Sequence, residues 1–414
     1  MAEALLVKPD RKFVEEVISA GGGDLKKCFQ CATCSVVCGL SNGPSPFPRK
    51  EMIWAQWGLK DRLVTDPDLW LCHQCNDCSL RCPRGARPGD VLAAVRQKAI
   101  EHFAFPSFMG RFVNSLRAAP IMLVLIPAVL LLLAILARRP IESAVGYVDP
   151  HGHEFYAYFF PHWLLIVFYT TLTLVTFSGL IVGLFRFWKG MKAADAETGR
   201  GNPVLGFVPS LVSAVKAVLT HARFGKCTDQ ARRKTSHLMA FYGFIGLFVV
   251  TVWAVLDLYL MPLLGVDSLY PFGLLHPMKI VANVAGILLV VGAGKAILDR
   301  MSAREDGNHQ STSFDWIFVW LLLLVGLSGF AVEVFRFVAE GAADPGTYAH
   351  AGALAVPAYS VYFVHLVLVF GLLVYLPYSK FAHMWYRTVA MIYAEHTGRT
   401  REGNQLVQVS GSEA

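Results

Sequence analysis

Eight cysteines crowd into the stretch from Cys28 to Cys82 and fall into two runs of one form. The first reads Cys28-x-x-Cys31-x-x-Cys34-x-x-x-Cys38, and the second, after residues 39–71, reads Cys72-x-x-Cys75-x-x-Cys78-x-x-x-Cys82-Pro83. This is the spacing that ligates [4Fe–4S] clusters, and in two-cluster ferredoxins the fourth cysteine of each run serves the other cluster. The rule predicts one cubane on Cys28, Cys31, Cys34 and Cys82, and another on Cys72, Cys75, Cys78 and Cys38. Three closely spaced thiolates wrap one face of a cube, and the distant fourth ties the two halves together. Zinc knuckles use paired C-x-x-C elements and leave the third and fourth cysteines of each run unexplained. Disulfides require an oxidising compartment, and the N-terminus does not read as a secretory signal. Only Gly39 departs from the pattern, standing where a proline usually follows the fourth cysteine.

The rest of the chain belongs to a different solvent. Of 414 residues, 55% are hydrophobic and only 16% charged, for a mean hydropathy of +0.46. The apolar residues gather after the first hundred positions, in six stretches near 119–137, 162–187, 237–263, 278–299, 315–338 and 358–380. About 20 apolar residues cross a hydrocarbon core, so each is long enough to span. The net charge of +7 is therefore read by location and not as a nucleic-acid surface. Lys and Arg concentrate in the loop from Trp188 to Ser236, whereas 264–277 and 339–357 contain none. By the positive-inside rule the first loop is cytoplasmic, and an even number of spans returns both termini to the cytoplasm. That is the reducing side that thiolate-bound clusters need. Arg138 and Arg139, at the outer end of the first span, run against the rule.

Periodicity predicts an all-α chain in three parts: a helical dicluster ferredoxin domain over 1–105, a polytopic bundle of about six spans over 106–390, and a tail over 391–414. In the first part, Asp10 is positioned to cap a helix that carries Phe13, Val14, Val17 and Ile18 on one face and stops at Gly21-Gly22-Gly23. Pro48 opens a second helix, Asp66-Pro67-Asp68 breaks the chain, and a third helix starts at Pro88. Residues 203–222 read as a helix lying on the membrane surface, or as a re-entrant or covering helix.

Ionisable residues at membrane depth are functional suspects. His365 and His383 are eighteen residues apart on the last span, five full turns, which puts both imidazoles on one side of the helix about 27 Å apart. His237 opens the third span level with His383, and His276 opens the fourth at the outer face, not far in depth from His365. Facing imidazole pairs are what bis-histidine haem iron needs, so these four predict two haem b groups. His162 competes with His276 for the fourth place. Gly243, Gly246, Gly286, Gly292 and Gly294 leave room for a porphyrin edge or for close helix packing. Asp257, Lys295, Glu333 and Arg336 are weaker candidates to line a quinone pocket, and His221 and Cys227 in the basic loop to form a quinone or partner site. No dinucleotide fingerprint, P-loop or C-x-x-C-H motif occurs.

The Cys28–Cys82 region resembles the iron–sulfur subunit of heterodisulfide reductase. The remainder resembles the cytochrome b of the same enzyme family and, more distantly, the gamma subunit of respiratory nitrate reductase, whose last helix carries a haem-ligand pair at the His365/His383 spacing. That gamma chain takes its other ligands from one helix ten residues apart, whereas Leu247 stands ten after His237. The fusion, with Cys28-Phe-Gln-Cys-Ala-Thr-Cys, Trp70-Leu-Cys-His-Gln-Cys-Asn-Asp-Cys and His276-Pro-Met-Lys, resembles the membrane subunits of the quinone-interacting membrane-bound oxidoreductase complexes of sulfate-reducing bacteria. The resemblance implies an inner-membrane electron-transfer subunit with menaquinone as substrate. It also implies cytoplasmic flavin- and iron–sulfur-containing partner subunits, and adenylylsulfate reductase as electron partner. Two alternatives stand beside it: a membrane subunit of a heterodisulfide-reductase-like thiol–disulfide complex, whose Cys-Cys-Gly motif is absent here, and a membrane anchor without haem.

Overall fold

A computed structural model describes residues 8–41, 46–146, 155–198, 203–221, 231–270, 272–305, 311–341 and 353–399. Among them every regular element is a helix, as the periodicity predicts.

The N-terminal part is built from short helices. α1 (Arg11–Ser19) starts where the Asp10 carboxylate accepts from Phe13 N, and it buries Phe13 and Val17. Two one-turn helices, α2 (Thr33–Val36) and α6 (Asp77–Leu80), follow the second cysteine of each run. Between them lie α3 (Arg49–Gln56), α4 (Lys60–Val64) and α5 (Asp68–Leu71). α7 (Pro88–Phe103) has proline at its first position, where a missing N–H costs nothing, and buries most of its length against the others.

Short α8 (Ser107–Val113) leads to the bundle. A π-turn over Ile121–Leu125 continues into α9 (Ile126–Val145). Then come α10 (Phe155–Phe159), α11 (His162–Thr198), α12 (Phe207–Thr220), α13 (Ala231–Val255) with a π-turn and α14 (Met261–Leu263), α15 (Pro277–Glu305), α16 (Ser313–Gly341), α17 (Ala355–Tyr375) and α18 (Ala382–His396). Six helical segments are long and apolar enough to cross a membrane: Ile121–Val145, His162–Glu197, Lys234–Leu263, Pro277–Ser302, Ser313–Ala339 and Ala355–His396. Their apolar side chains largely face outward, as lipid-facing helices require. Arg138, which runs against the charge rule, donates to the Tyr158 and Phe159 carbonyls at the end of α10 (2.6 and 2.8 Å), so its charge is used as a helix cap.

The structure overturns one expectation and decides between alternatives in two others. First, the last span is not one helix. α17 stops at Tyr375, a 3-10 turn runs over Leu376–Tyr378, and Ser379 is extended before α18 begins. Pro377 cannot donate to the ladder, and the turn re-aims the chain. The argument that His365 and His383 share a face through five turns therefore fails, and the boundary placed at 390 falls inside α18. Second, of the two uses open to the glycines, Gly243 and Gly292 serve helix packing. A Cβ on Gly243 would lie 2.5 Å from Leu289 N, and one on Gly292 2.5 Å from Ala240 N, so α13 and α15 touch backbone to backbone. Third, α12 packs its Ala214 face against Met391 and Ile392 of α18, so it covers the bundle end; its other face, with Phe207, Val208 and Val212, is exposed.

One apolar core joins the two halves. Phe13, Leu63, Trp70 and Phe103 of the cluster domain pack with Phe187 and Met191 of α11 and with Ala382, Tyr386 and Tyr393 of α18. An ion network lies beside it. Lys50 Nζ is within 3.2, 2.7 and 2.7 Å of Glu51, Asp66 and Asp68, and Arg399 reaches Asp66, Asp68 and, from α11, Asp195. Although the three carboxylates Glu51, Asp66 and Asp68 are close enough to hold a metal ion, the Lys50 ammonium occupies their centre.

Candidate functional site

The two cysteine runs fold as repeats of one loop. Gln30 and Ala32 in the first, and Gln74 and Asn76 in the second, adopt positive φ (60°, 68°, 54° and 67°) at equivalent positions. Left-handed backbone at alternate residues turns successive N–H groups inward, forming a concave nest suited to an anionic centre. Gln74 N donates to Cys72 Sγ at 3.3 Å, and the Gln30 backbone N–H makes the same contact with Cys28. The runs also exchange their ends. Cys82 lies close enough to Cys28 to feel its charge, and Cys38 lies close to Cys72, Cys75 and Cys78. A small cavity is lined by Cys38, Cys72, Cys75, Cys78 and Gly89, among others.

Burial pushes the Cys34 thiol up to about 11 and the Cys38 thiol up to about 12, and raises Cys78 further. Sulfur so placed is a neutral thiol unless a cation replaces its proton, and iron is such a cation. Eight thiols in two crossed sets of four, with N–H donors aimed at the sulfurs, fit two cubane clusters. The two sets differ in exposure. Cys31 is exposed and its thiol is lowered by the Thr33 hydroxyl at 3.4 Å, whereas Cys72 and Cys78 are buried.

The buried loop faces the membrane part. Trp70, two residues before Cys72, is fully buried; it stacks on Tyr386 (5.2 Å between centroids, 18°) and contacts the His383 ring (5.8 Å) and Phe187 (5.8 Å). From α18, Arg387 Nη1 donates to the Cys72 carbonyl at 3.0 Å and Nη2 meets His73 Nδ1 at 2.8 Å. Trp70 and Arg387 carry this junction, and neither stands out in the sequence for that role. The sole advance signal is Trp70 within the resemblance motif.

Of the four histidines, the structure brings two together. His237 on α13 and His383 on α18 lie within electrostatic range of each other. His237 is exposed as a residue, and His383 is half-buried with its ring against Trp70. His221, at the end of α12, sits with its ring 5.3 Å from that of His237. Two imidazoles on different helices thus lie at this end of the bundle.

The other pair is not brought together. His365 Nδ1 is 2.9 Å from the Ser328 hydroxyl, level with Gly329 of α16. α15 and α16 run antiparallel in a register set by Asn283 with Glu333, Gly286 with Phe330 and Val290 with Gly326. That register puts His276 opposite position 340, eleven residues past Gly329, or about 17 Å farther out at 1.5 Å per residue. His276 instead stacks on Phe272 (4.5 Å, 6°), and its Nδ1 accepts from Met278 N. His162 contacts Tyr270; Tyr169, seven residues on, reaches the Leu366 carbonyl. A haem on His365 with His276 or His162 does not fit this arrangement.

The weaker candidates have structural work. Asp257 accepts from Ser268 Oγ, Leu269 N and Tyr270 N and so caps a loop. Glu333 pairs with Lys279, Lys295 with Asp299, and Arg336 donates to the Phe272 carbonyl. Cys227 lies outside the described residues.

Comparison with known proteins matches residues 24–86 to the 4Fe-4S dicluster domain family. A subunit of the H(2):CoB-CoM heterodisulfide,ferredoxin reductase of Methanothermobacter marburgensis is 41% identical over 91 residues, 22% of this chain and 49% of the relative. An iron-sulfur subunit of the CoB-CoM heterodisulfide reductase of Methanocaldococcus jannaschii is 33% identical over 133 residues, 28% of this chain and 71% of the relative. Citrate utilization protein B of Escherichia coli is 26% identical over 339 residues, 78% of this chain and 80% of the relative, and so extends through the membrane part. The chain spans about half the length of the first of these relatives. No solved structure matches.

Proposed function

Since the chain belongs, through its cysteine-rich region, to the family of heterodisulfide reductase iron–sulfur subunits, we propose that it is the membrane-bound electron-transfer subunit of a larger redox complex. Cys28, Cys31, Cys34 and Cys82 hold one [4Fe–4S] cluster; Cys72, Cys75, Cys78 and Cys38 hold the other; His237 and His383 hold a haem b. Bound there, these groups supply one-electron storage and transfer. The two-haem count is not carried forward, because its outer ligands are apart.

The observation that carries this reading is the contact of Trp70 and Arg387 between the Cys72 loop and α18. It supports an order of sites in which His237 and His383 stand at the bundle end, then the buried Cys72 loop, then the exposed Cys28 loop, open to soluble partner subunits with flavin and iron–sulfur centres. The protein's own part is to hold the Cys72 loop and the His383 ring at fixed separation, exclude water between them with Trp70, Phe187 and Tyr386, and keep eight sulfurs deprotonated toward iron. Menaquinol is the proposed membrane reductant, adenylylsulfate reductase the proposed cytoplasmic partner, and the inner membrane the setting, with both termini cytoplasmic.

A second reading keeps the relay and changes its terminus. The relatives' names favour a thiol–disulfide complex, in which a partner chain carries the disulfide site, since all eight described cysteines lie in the two loops. Anaerobic metal analysis, visible spectra and turnover of the complex test both. Eight non-haem irons, a b-type band lost in His383→Ala and oxidation of a menaquinol analogue support the first reading. Turnover of a heterodisulfide without quinol oxidation supports the second, and fewer than eight non-haem irons removes both.

A further inference from the structure

The two cysteine loops share a backbone, yet different residues clamp them. At the first, Gln56 Nε2 donates to the carbonyls of Leu25 (3.2 Å) and Cys28 (2.9 Å), and Gln56 Oε1 accepts from Gln30 Nε2 (2.7 Å). At the second, Arg96 Nη1 donates to Leu69 (3.4 Å) and Cys72 (3.3 Å), and Nη2 to Gln74 Oε1 (3.1 Å). Leu25 and Leu69, Cys28 and Cys72, Gln30 and Gln74 are the same positions counted from the first cysteine of each run. A neutral amide and a guanidinium therefore do one mechanical task, so the loop's shape does not require a charge at Arg96.

The second loop takes a further cation. Arg387 donates to the same Cys72 carbonyl and meets His73 Nδ1, from a different helix. Arg96 is 4% exposed, so its charge is little screened by water or salt. Cations also stand at the first loop, Arg49 acting at Cys28 and Cys31 and Arg84 lying 4.1 Å over the Phe29 ring, but there the exposure of Cys31 and Phe29 admits solvent screening. Reduction adds one electron to an already anionic cluster, and a positive charge fixed on the backbone of the loop that holds it stabilises the reduced form more than the oxidised one.

We propose that Arg96 and Arg387 raise the reduction potential of the cluster held by Cys72, Cys75, Cys78 and Cys38, leaving that of the Cys28 loop untouched; this rests on the ligation read above. No bond forms or breaks in the step. The cluster accepts one electron, and the two guanidinium groups offset its charge without moving a proton.

The test is a mediated dithionite titration of the purified full chain followed by electron paramagnetic resonance, comparing wild type with R387Q, R387K and R96Q. Cys31→Ser, which removes a ligand of the exposed loop, identifies the couple that survives as the one on the Cys72 loop. In R387Q the reduced-to-oxidised ratio of that couple at fixed potential should fall about tenfold, about 59 mV for a one-electron couple. The other couple should stay in place, and R387K should restore most of the shift. Both couples moving together, or neither moving by more than about threefold in variants that keep eight irons, overturns the proposal. If R96Q does not fold, R387Q decides. Wild type with fewer than two couples overturns the ligation reading, and this inference with it; two couples that stay fixed overturn the inference alone.

Discussion

The Cys28 and Cys72 loops have one backbone and two surroundings. The first turns Cys31, Phe29 and Val36 to solvent; the second is buried against α7 and α18. At the position two residues before the first cysteine, the first loop has exposed Lys26 and the second has Trp70, fully buried. A cluster fold specifies only the path of the chain around the sulfurs. What each centre meets outside that path is set by helices that do not belong to the repeat. Duplicated sites thus become two stations of unlike character without any change in their ligands.

That contrast is open to test, and the largest effect is expected at the ligands. Cys78→Ser should remove the buried cluster and cut electron delivery from the membrane part to the exposed loop by at least about 100-fold. Cys31→Ser should spare the buried cluster and lose only delivery to soluble partners. Iron analysis with stopped-flow reduction distinguishes the two, and equal loss in both variants would break the ordering. Next comes Trp70→Ala, which empties a packed site where three helices meet and should cost about 3–5 kcal/mol. Lys26→Ala, at the equivalent place, should stay within about 0.5 kcal/mol. Thermal loss of cluster absorbance measures both.

The smallest effect concerns the ion network between the loops. Burial first, and then the Asp66 and Asp68 charges, push the Glu51 carboxyl up to about 8 against the pull of Lys50. The folded state therefore favours the protonated form. Its stabilisation is complete below the ordinary glutamate range and is lost as pH rises toward about 8. Wild type should lose a few degrees of melting temperature relative to Glu51→Gln between pH 5 and about 9. A pH-independent difference between the two would show that Glu51 stays ionised.

Much of this was legible in residue order, for identifiable reasons. Cluster ligation needs fixed short spacings, so Cys28 to Cys82 announce themselves. Spans need length and apolarity, so all six were found, but the helices outrun the apolar stretches: the first two and the last end 8, 10 and 16 residues beyond 137, 187 and 380. Pairing between helices is different, because it depends on register and on breaks that periodicity does not resolve. Pro377 interrupts the turn count between His365 and His383, and the α15–α16 register displaces His276. Gly243 and Gly292 were equally compatible with a porphyrin edge or a neighbouring helix. Gln56 and Arg96 escaped notice as counterparts because they stand 28 and 24 residues after their respective first cysteines, on unrelated helices.

The turn at Pro377 has a mechanical result. By ending α17 there, the chain frees α18 to fold with the cysteine domain, which is already joined to the bundle through Phe105 and Pro106. The domain is thus tethered twice, once by its own peptide connection and once by a helix returning from the far end of the sequence. A head fastened at two points cannot swing between docking positions as a mobile carrier does. Its electrons must travel through fixed gaps, and the rate of that passage is built in when the chain folds.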